Sequence, residues 1–464
     1  MNNQFKLNAL ASALAVLALA SCGDAETNIV EKDSIEKPDE HDDHGDEYTI
    51  ESMGRLAVLS AENAQVSILD LDTNSSIDSF SLTHTSNSLY ASAGYRYAVI
   101  TSRTNDYVGF IDGGLWREDH VAHLHDYKQQ PSMSDYELTA SRPTHVVTHD
   151  GQLAVFYDGD AESSAAASVQ VISDTDIAGS QTNVNTLTYT INMHGVAEPR
   201  GEHLLSTIRR DDVESTSAAK ILPDQVGVYH AHDGEFELEQ TFGVTCPDLH
   251  GAAQNEEFVL FGCSDGVLMA EENEQGFSAS KIANIDDLHG GRIGTLYGHE
   301  DSELFIGIAA AHGGNTATLL AVNPEENSMS VLEWQPTDGI RPAAYSFANH
   351  GEYFLVLETN GTLNILEQHV HDGSIEWEHH KAIDVRDGDT TAIPDGMSFS
   401  LTVAQNGHYA YVADPVAKHV VQIDLETFEE SAEIDLGFAP SQITWLGIAE
   451  EEHEDHDEHD HHDH

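Results

Sequence analysis

Short β-rich runs recur along this chain at a spacing of roughly 45–50 residues, the period of propeller blades. That recurrence constrains the fold more than any other feature. One unit reads GRLAVLSAENAQVSILDLDTNSSIDSFSL from Gly54 to Leu82, and others begin at Asn87, Thr144, His194, His250, Gly294, Ala343 and Phe399. Each holds a strand, a polar turn, an alternating strand, a second turn and a strand of the VQIDLET kind. Gly, Asn and Asp punctuate the runs, and no amphipathic helix of useful length interrupts them. A lone unit of this size cannot bury its faces, whereas radial packing of four-stranded sheets hides them. The last run, PSQITWLGI from Pro440 to Ile448, reads as an inner strand whose outer partners already lie at 54–82. The expectation is therefore an all-β chain forming a single β-propeller over residues 53–449, closed by pairing of its two ends. Eight blades are favoured, or seven if the second or sixth unit is irregular; the alternative is a β-sandwich array.

The flanks differ in character. MNNQFK followed by LNALASALAVLALA has the charged start and short apolar stretch of an export signal, too short to span a membrane stably. It ends in Leu19-Ala20-Ser21-Cys22, which resembles a bacterial lipobox. Residues 1–21 are thus expected to be removed and Cys22 lipidated, giving a periplasmic protein held by a lipid anchor. Gly23 after the cysteine favours the outer membrane. Residues 22–52 read as a disordered acidic tether containing His41 and His44. With Cys22 set aside, Cys246 and Cys263 remain, and an oxidising compartment favours a disulfide between them. The alternative is Cys246 as a metal ligand.

Charge narrows the partners. The formal net charge is −62. The leader carries +1 and residues 23–50 and 450–464 carry −9 each, so the propeller itself keeps −45. Such a field repels nucleic acid and anionic membrane surfaces and attracts cations. Part of it also fits a surface adapted to salt.

Histidine then points to metal. Residues 450–464, EEEHEDHDEHDHHDH, contain only His and carboxylates: His453, His456, His459, His461, His462 and His464 among nine acids. A dense His-rich tract is a compositional metal signal, and with His41 and His44 it makes weak accessory sites. Within the repeats, inner strands begin near the central channel, and several begin with His: His145, His194 and His250, the last preceded by Asp248. Asp287-Leu288-His289-Gly290 precedes a similar strand. The loop REDHVAHLHDY, residues 117–127, is expected to lay His120, His123, His125 or Asp126 over the same mouth. Three imidazoles with one carboxylate or further His form a four-coordinate zinc set. His149, His299, His350 and His408 read as solvated turn residues.

The motifs PTHVVTHDGQLAVFYDG, MHGVAEP, CPDLHGAA with the following LFGCSDG, and the REDH loop resemble those of periplasmic zinc metallochaperones of the AztD type, over most of residues 54–448. The resemblance implies a propeller that binds zinc and hands it to the solute-binding protein of a zinc ABC importer. It also implies a flexible His/Asp-rich segment that binds more zinc. Carried over by motif, the ligands are His145, His194 and His250 with His123 or its loop neighbours, and the Cys246–Cys263 disulfide is supported. The lipobox departs from a chaperone expected to diffuse. The chain is expected to be a monomer and not an enzyme: it has no nucleophile elbow, phosphate loop, CxxCH or HExxH. The alternatives are a propeller enzyme of lactonase or oxidoreductase type, or a protein-interaction propeller lipoprotein.

Overall fold

The computed structural model describes residues 29–36, 50–120, 123–212, 215, 221–273, 276–288, 290–310, 317–371 and 374–450. The signal segment, Cys22, His41, His44, His289 and the six tail histidines lie outside the described residues.

Eight four-stranded antiparallel blades follow one another around a ring. Blade 1 combines Pro440–Leu446 as inner strand with Arg55–Ser60, Gln65–Asp70 and Ser75–Ser81. Blade 2 runs from Ser88–Ala91 to Ser132–Leu138, blade 3 from Pro143–His149 to Asn185–Thr188 and blade 4 from Ala197–Arg200 to Glu235–Thr241. The outer strands of blades 3 and 4 meet in a parallel bridge, Thr186 to Glu235. Blades 5 to 8 begin at Ala252, Ile293, Pro342 and Ser400.

Burial explains why the runs look as they do. Second strands are sandwiched between neighbouring blades on both faces, so Arg55–Ser60, Tyr97–Ser102 and Phe258–Cys263 are buried throughout. Fourth strands meet solvent, and Ser75–Ser81 has no buried residue. The core is accordingly divided into interblade clusters. One joins Leu205 and Val228 of blade 4 to Val259 and Phe261 of blade 5. Another joins Leu56, Val58 and Trp445 of blade 1 to Tyr411, Ala413 and Val420 of blade 8, which closes the ring. The closing register pairs Leu56 with Trp445 and Val58 with Ile443. Trp445 Nε1 donates to Met53 O at 3.0 Å. Its indole lies so close to Gly54 (φ 93°) that a Cβ there would sit 2.5 Å from Nε1, hence glycine.

Two features differ from the sequence reading. Part of the tether is ordered: Val30–Glu31 and Ile35–Glu36 form short strands against His123–Lys128. The 117–127 loop is a β-hairpin, Leu115–Asp119 with His123–Lys128, inserted between the third and fourth strands of blade 2.

Candidate metal centre at the channel mouth

Three consecutive blades aim a histidine at one point. His145 lies in the inner strand of blade 3, where a register shift between Pro143 and His145 alters the alternation at the strand's start. His194 and His250 immediately precede the inner strands of blades 4 and 5 and are each followed by glycine. Both glycines are required by close approach. A Cβ on Gly195 would fall 2.2 Å from Thr207 Oγ1, and one on Gly251 (φ 79°) would fall 2.7 Å from Gly294 O. The His-Gly pair is thus a backbone device that swings the imidazole into the mouth. The Cys246–Cys263 disulfide anchors the segment leading to His250, and Leu249 N donates to Pro223 O at 3.0 Å.

The imidazoles meet through Nε2: 3.4 Å from His145 to His194 and 3.3 Å from His194 to His250. Their other nitrogens are set by neighbours. Asp158 is 2% exposed and accepts from His194 Nδ1 at 3.1 and 3.2 Å, while Gly294 O accepts from His250 Nδ1 at 2.8 Å. A carboxylate and a carbonyl can only accept, so both Nδ1 atoms carry a proton and both Nε2 atoms are left to face the mouth. Burial, with His194 and Arg292 adding to it against the Gly294 hydrogen bond, depresses the His250 pKa. Burial and the adjacent His194 push His145 down to about 4. Both are therefore neutral near pH 7, and the Nε2 atoms of His194 and His250 face each other 3.3 Å apart. Bonds of about 2.0–2.1 Å to a tetrahedral zinc place ligand atoms about 3.3–3.4 Å apart, which matches both edges.

The third edge is longer: the His145 and His250 ring centroids are 6.2 Å apart, against 5.0 and 5.2 Å for the other pairs. As the side chains stand, no group of three or more His, Cys, Asp or Glu among the described residues is arranged to hold an ion. The donor set fits zinc, and the long third edge would have to close around a bound ion.

The structure does not bring His120, His123 and His125 to this mouth. The mouth lies where inner strands begin and second strands end, as Arg103 and Asp158 show. The hairpin leaves blade 2 at the other end of the ring, beside the turn at Arg96, whose oxygen accepts from Gly113 N at 2.8 Å. Asp126 is also unavailable, because Arg117 Nε donates to it at 2.6 Å inside the hairpin. Asp248 is exposed, with left-handed backbone (φ 51°), and its backbone oxygen accepts from Arg292. The turn histidines are more engaged than expected. His350 Nε2 lies 2.9 Å from Glu450, and His299 Nδ1 accepts from Asp301 N at 3.3 Å. His149 is held down at about 4 by burial and Arg200.

Residue-type reasoning missed the orienting groups. Asp158 sits at the end of the FYDG motif, and Arg103 supports it with Nη2 at 2.9 Å. Only the repeated placement of a polar residue at the end of a second strand could have marked them.

No family model matches the chain. It is 23% identical over 412 residues to the zinc chaperone AztD of Citrobacter koseri, covering 86% of this chain and 88% of that protein. The crystal structures of apo AztD and AztD from that organism match at TM-scores of 0.68 and 0.69 and 22% identity, each covering 86% of this chain and 99% of its own. A dihydro-heme d1 dehydrogenase matches at TM-score 0.52 and 11% identity, over 95% of this chain and 86% of that one. The likeness to AztD-type proteins read from the blade motifs is borne out along most of the chain, and so is the all-β propeller. The curated relative is named as a chaperone, not an enzyme.

Proposed function

We propose that this protein is a zinc chaperone whose cargo sits on His145, His194 and His250 at the channel mouth. The observation that carries the reading is the pair of 3.4 and 3.3 Å Nε2 contacts, with Nδ1 of His194 held by Asp158 and Nδ1 of His250 held by Gly294 O. Three protein ligands leave a fourth position of a tetrahedral ion open to an incoming ligand. Transfer by ligand exchange needs such an opening, because the acceptor binds before the donor imidazoles let go. The acceptor in this reading is the solute-binding protein of a zinc ABC importer. The acidic His segments around His41 and His44 and from His453 to His464 raise the local cation concentration, an effect screened beyond roughly 8 Å at physiological salt. Covalent linkage makes their transfer to the mouth intramolecular, at an effective concentration of about millimolar. Export and a lipid anchor on Cys22 would place this at the periplasmic side of the outer membrane, as a monomer.

Metal analysis of protein purified without a His-affinity step, followed by transfer to a metal-free solute-binding protein, tests the reading. H194A/H250A should lose the tight zinc equivalent, and removal of residues 451–464 should spare it. Retention of tight zinc by H194A/H250A, or ester or lactone turnover that tracks metal occupancy, would overturn it.

A further inference from the structure

The end of the ring opposite the mouth gathers side chains from three more blades. Inner strands end there, and those of blades 6, 7 and 1 lead into His299, His350 and Glu450. In the first of these turns Ser302 N donates to His299 O at 3.0 Å, which sets His299 and Asp301 side by side. Ser302 is 1% exposed, and Asn255 of blade 5 donates to its backbone oxygen at 3.0 Å, so the turn is fixed from behind. The turn in blade 7 carries Asn349, His350 and Gly351 with φ of 50°, 49° and 79°. Left-handed backbone at two successive non-glycine residues is uncommon. It packs Gly351 against the first turn, where a Cβ would lie 3.2 Å from Ser302 Cβ. Glu450 N donates to Gln405 O at 2.8 Å, which brings its carboxylate to the same place.

Asp301 Oδ2 lies 3.6 Å from His299 Nδ1 and 3.5 Å from His350 Nδ1. Both separations are longer than a normal hydrogen bond, so the three atoms stand around a gap. Bonds of about 2.0–2.2 Å to tetrahedral zinc set ligand atoms about 3.3–3.6 Å apart, a range that includes both. Ring orientation fits as well. Glu450 Oε2 accepts from His350 Nε2 at 2.9 Å, which leaves Nδ1 toward Asp301. A carboxylate on the far nitrogen is the outer-shell partner that orients a ligating histidine. His299 Nδ1 accepts from Asp301 N at 3.3 Å, so that nitrogen carries no proton. Burial holds the His299 pKa below its usual value, against Asp301 and with His350 adding to it. A cavity of about 60 Å³ opens beside the gap, bounded by Tyr95, His299, Phe347, His350, Gln405 and Glu450. It has room for water on a remaining coordination position. The exposed His350 ring is the part that would turn to close on an ion.

We propose that His299, Asp301 and His350 form a divalent-cation site at the end of the ring opposite the mouth, with Glu450 orienting His350. Two imidazoles and one carboxylate are a set that zinc takes with an open fourth position. Glu450 is also the first residue of the stretch of His and carboxylates, so the site sits where that stretch leaves the ring. The site stands on its own geometry and does not depend on the mouth binding zinc.

The test is zinc protection of the full chain against diethyl pyrocarbonate, which acylates free imidazole, read residue by residue as peptide mass. Zinc should slow labelling of His299 and His350 and leave His408, beside Asn349 and Glu426, at its zinc-free rate. D301N should lose that protection, and H194A/H250A should keep it. E450A, which removes the acceptor on His350 Nε2, should raise the zinc concentration for half-protection by about tenfold or more. Unchanged labelling of His350 in zinc, or full protection in D301N, would overturn the proposal. So would equal protection of His408, which would reduce the effect to cations collecting on an acidic surface. If D301N does not fold, a wild-type value in E450A overturns it. Protection of His299 and His350 with none at His194 and His250 would support it while removing the mouth reading.

Discussion

Replacing Asp158 by Asn isolates the orienting role from ligation. The side chain keeps its shape, is 2% exposed, and stands between His194 Nδ1 at 3.1 and 3.2 Å and Arg103 Nη2 at 2.9 Å. The amide has one acceptor atom where the carboxylate has two. Turned toward Arg103, that oxygen leaves the amide N–H groups against His194 Nδ1. The ring then favours the tautomer with its proton on Nε2, the nitrogen that must face the metal. Turned the other way, the amide N–H groups confront the guanidinium. Outer-shell changes of this kind weaken metal affinity by about 10- to 100-fold, or about 1.4–2.7 kcal/mol. The lost Arg103 ion pair adds little to stability, because that side chain is 45% exposed. Competition for zinc against a chromophoric chelator, at fixed pH and salt, measures the ratio of D158N to wild type. A change below about twofold would refute the orienting role. A loss as complete as in H194A would instead make Asp158 a direct ligand.

Other expectations follow from the same geometry. C246S/C263S opens a loop of sequence separation 17 and should cost about 3 kcal/mol in denaturant unfolding. It should also weaken zinc at the mouth, since the bridge anchors the approach to His250. His145 is held at about 4 in the fold, against 6.5 when unfolded. The unfolded chain thus binds the extra proton first, and metal-free stability should be full above about pH 6.5 and fall toward pH 4, by at most about 3 kcal/mol. H145Q, titrated beside the wild type, should flatten that slope. Glu198 is 1% exposed and burial lifts its pKa to about 8, against the lowering influence of Gln254. Its folded value lies above its unfolded one, so it favours the fold at low pH and loses that contribution as pH rises from about 4.5 to 8. E198Q should therefore gain stability relative to wild type at pH 8, on the order of 2 kcal/mol, and little at pH 4.5.

At the mouth each histidine comes from a separate blade, so their spacing depends on ring closure and on the interblade cores.

The sequence by itself determined the period, the strand type and the closure. Those depend on alternation and turn residues, which act over a few neighbours, and on the leftover inner strand at Pro440–Leu446 that pairs with Arg55–Ser60. It also determined that His145, His194 and His250 come together, because equivalent positions in repeated units occupy equivalent places around a ring. It could not determine which end of the ring an insertion leaves from. The parity of strands before it decides that, and for REDHVAHLHDY the third strand of blade 2 ends away from the mouth. Nor could it name Asp158, Arg103 or Gly294 as orienting groups, since each reaches its histidine across 36 or more residues of chain or through a partner that does. Residue types offer ligands in abundance here. The tertiary structure separates them, because the packed ring brings His145, His194 and His250 to one point and leaves the others apart from it.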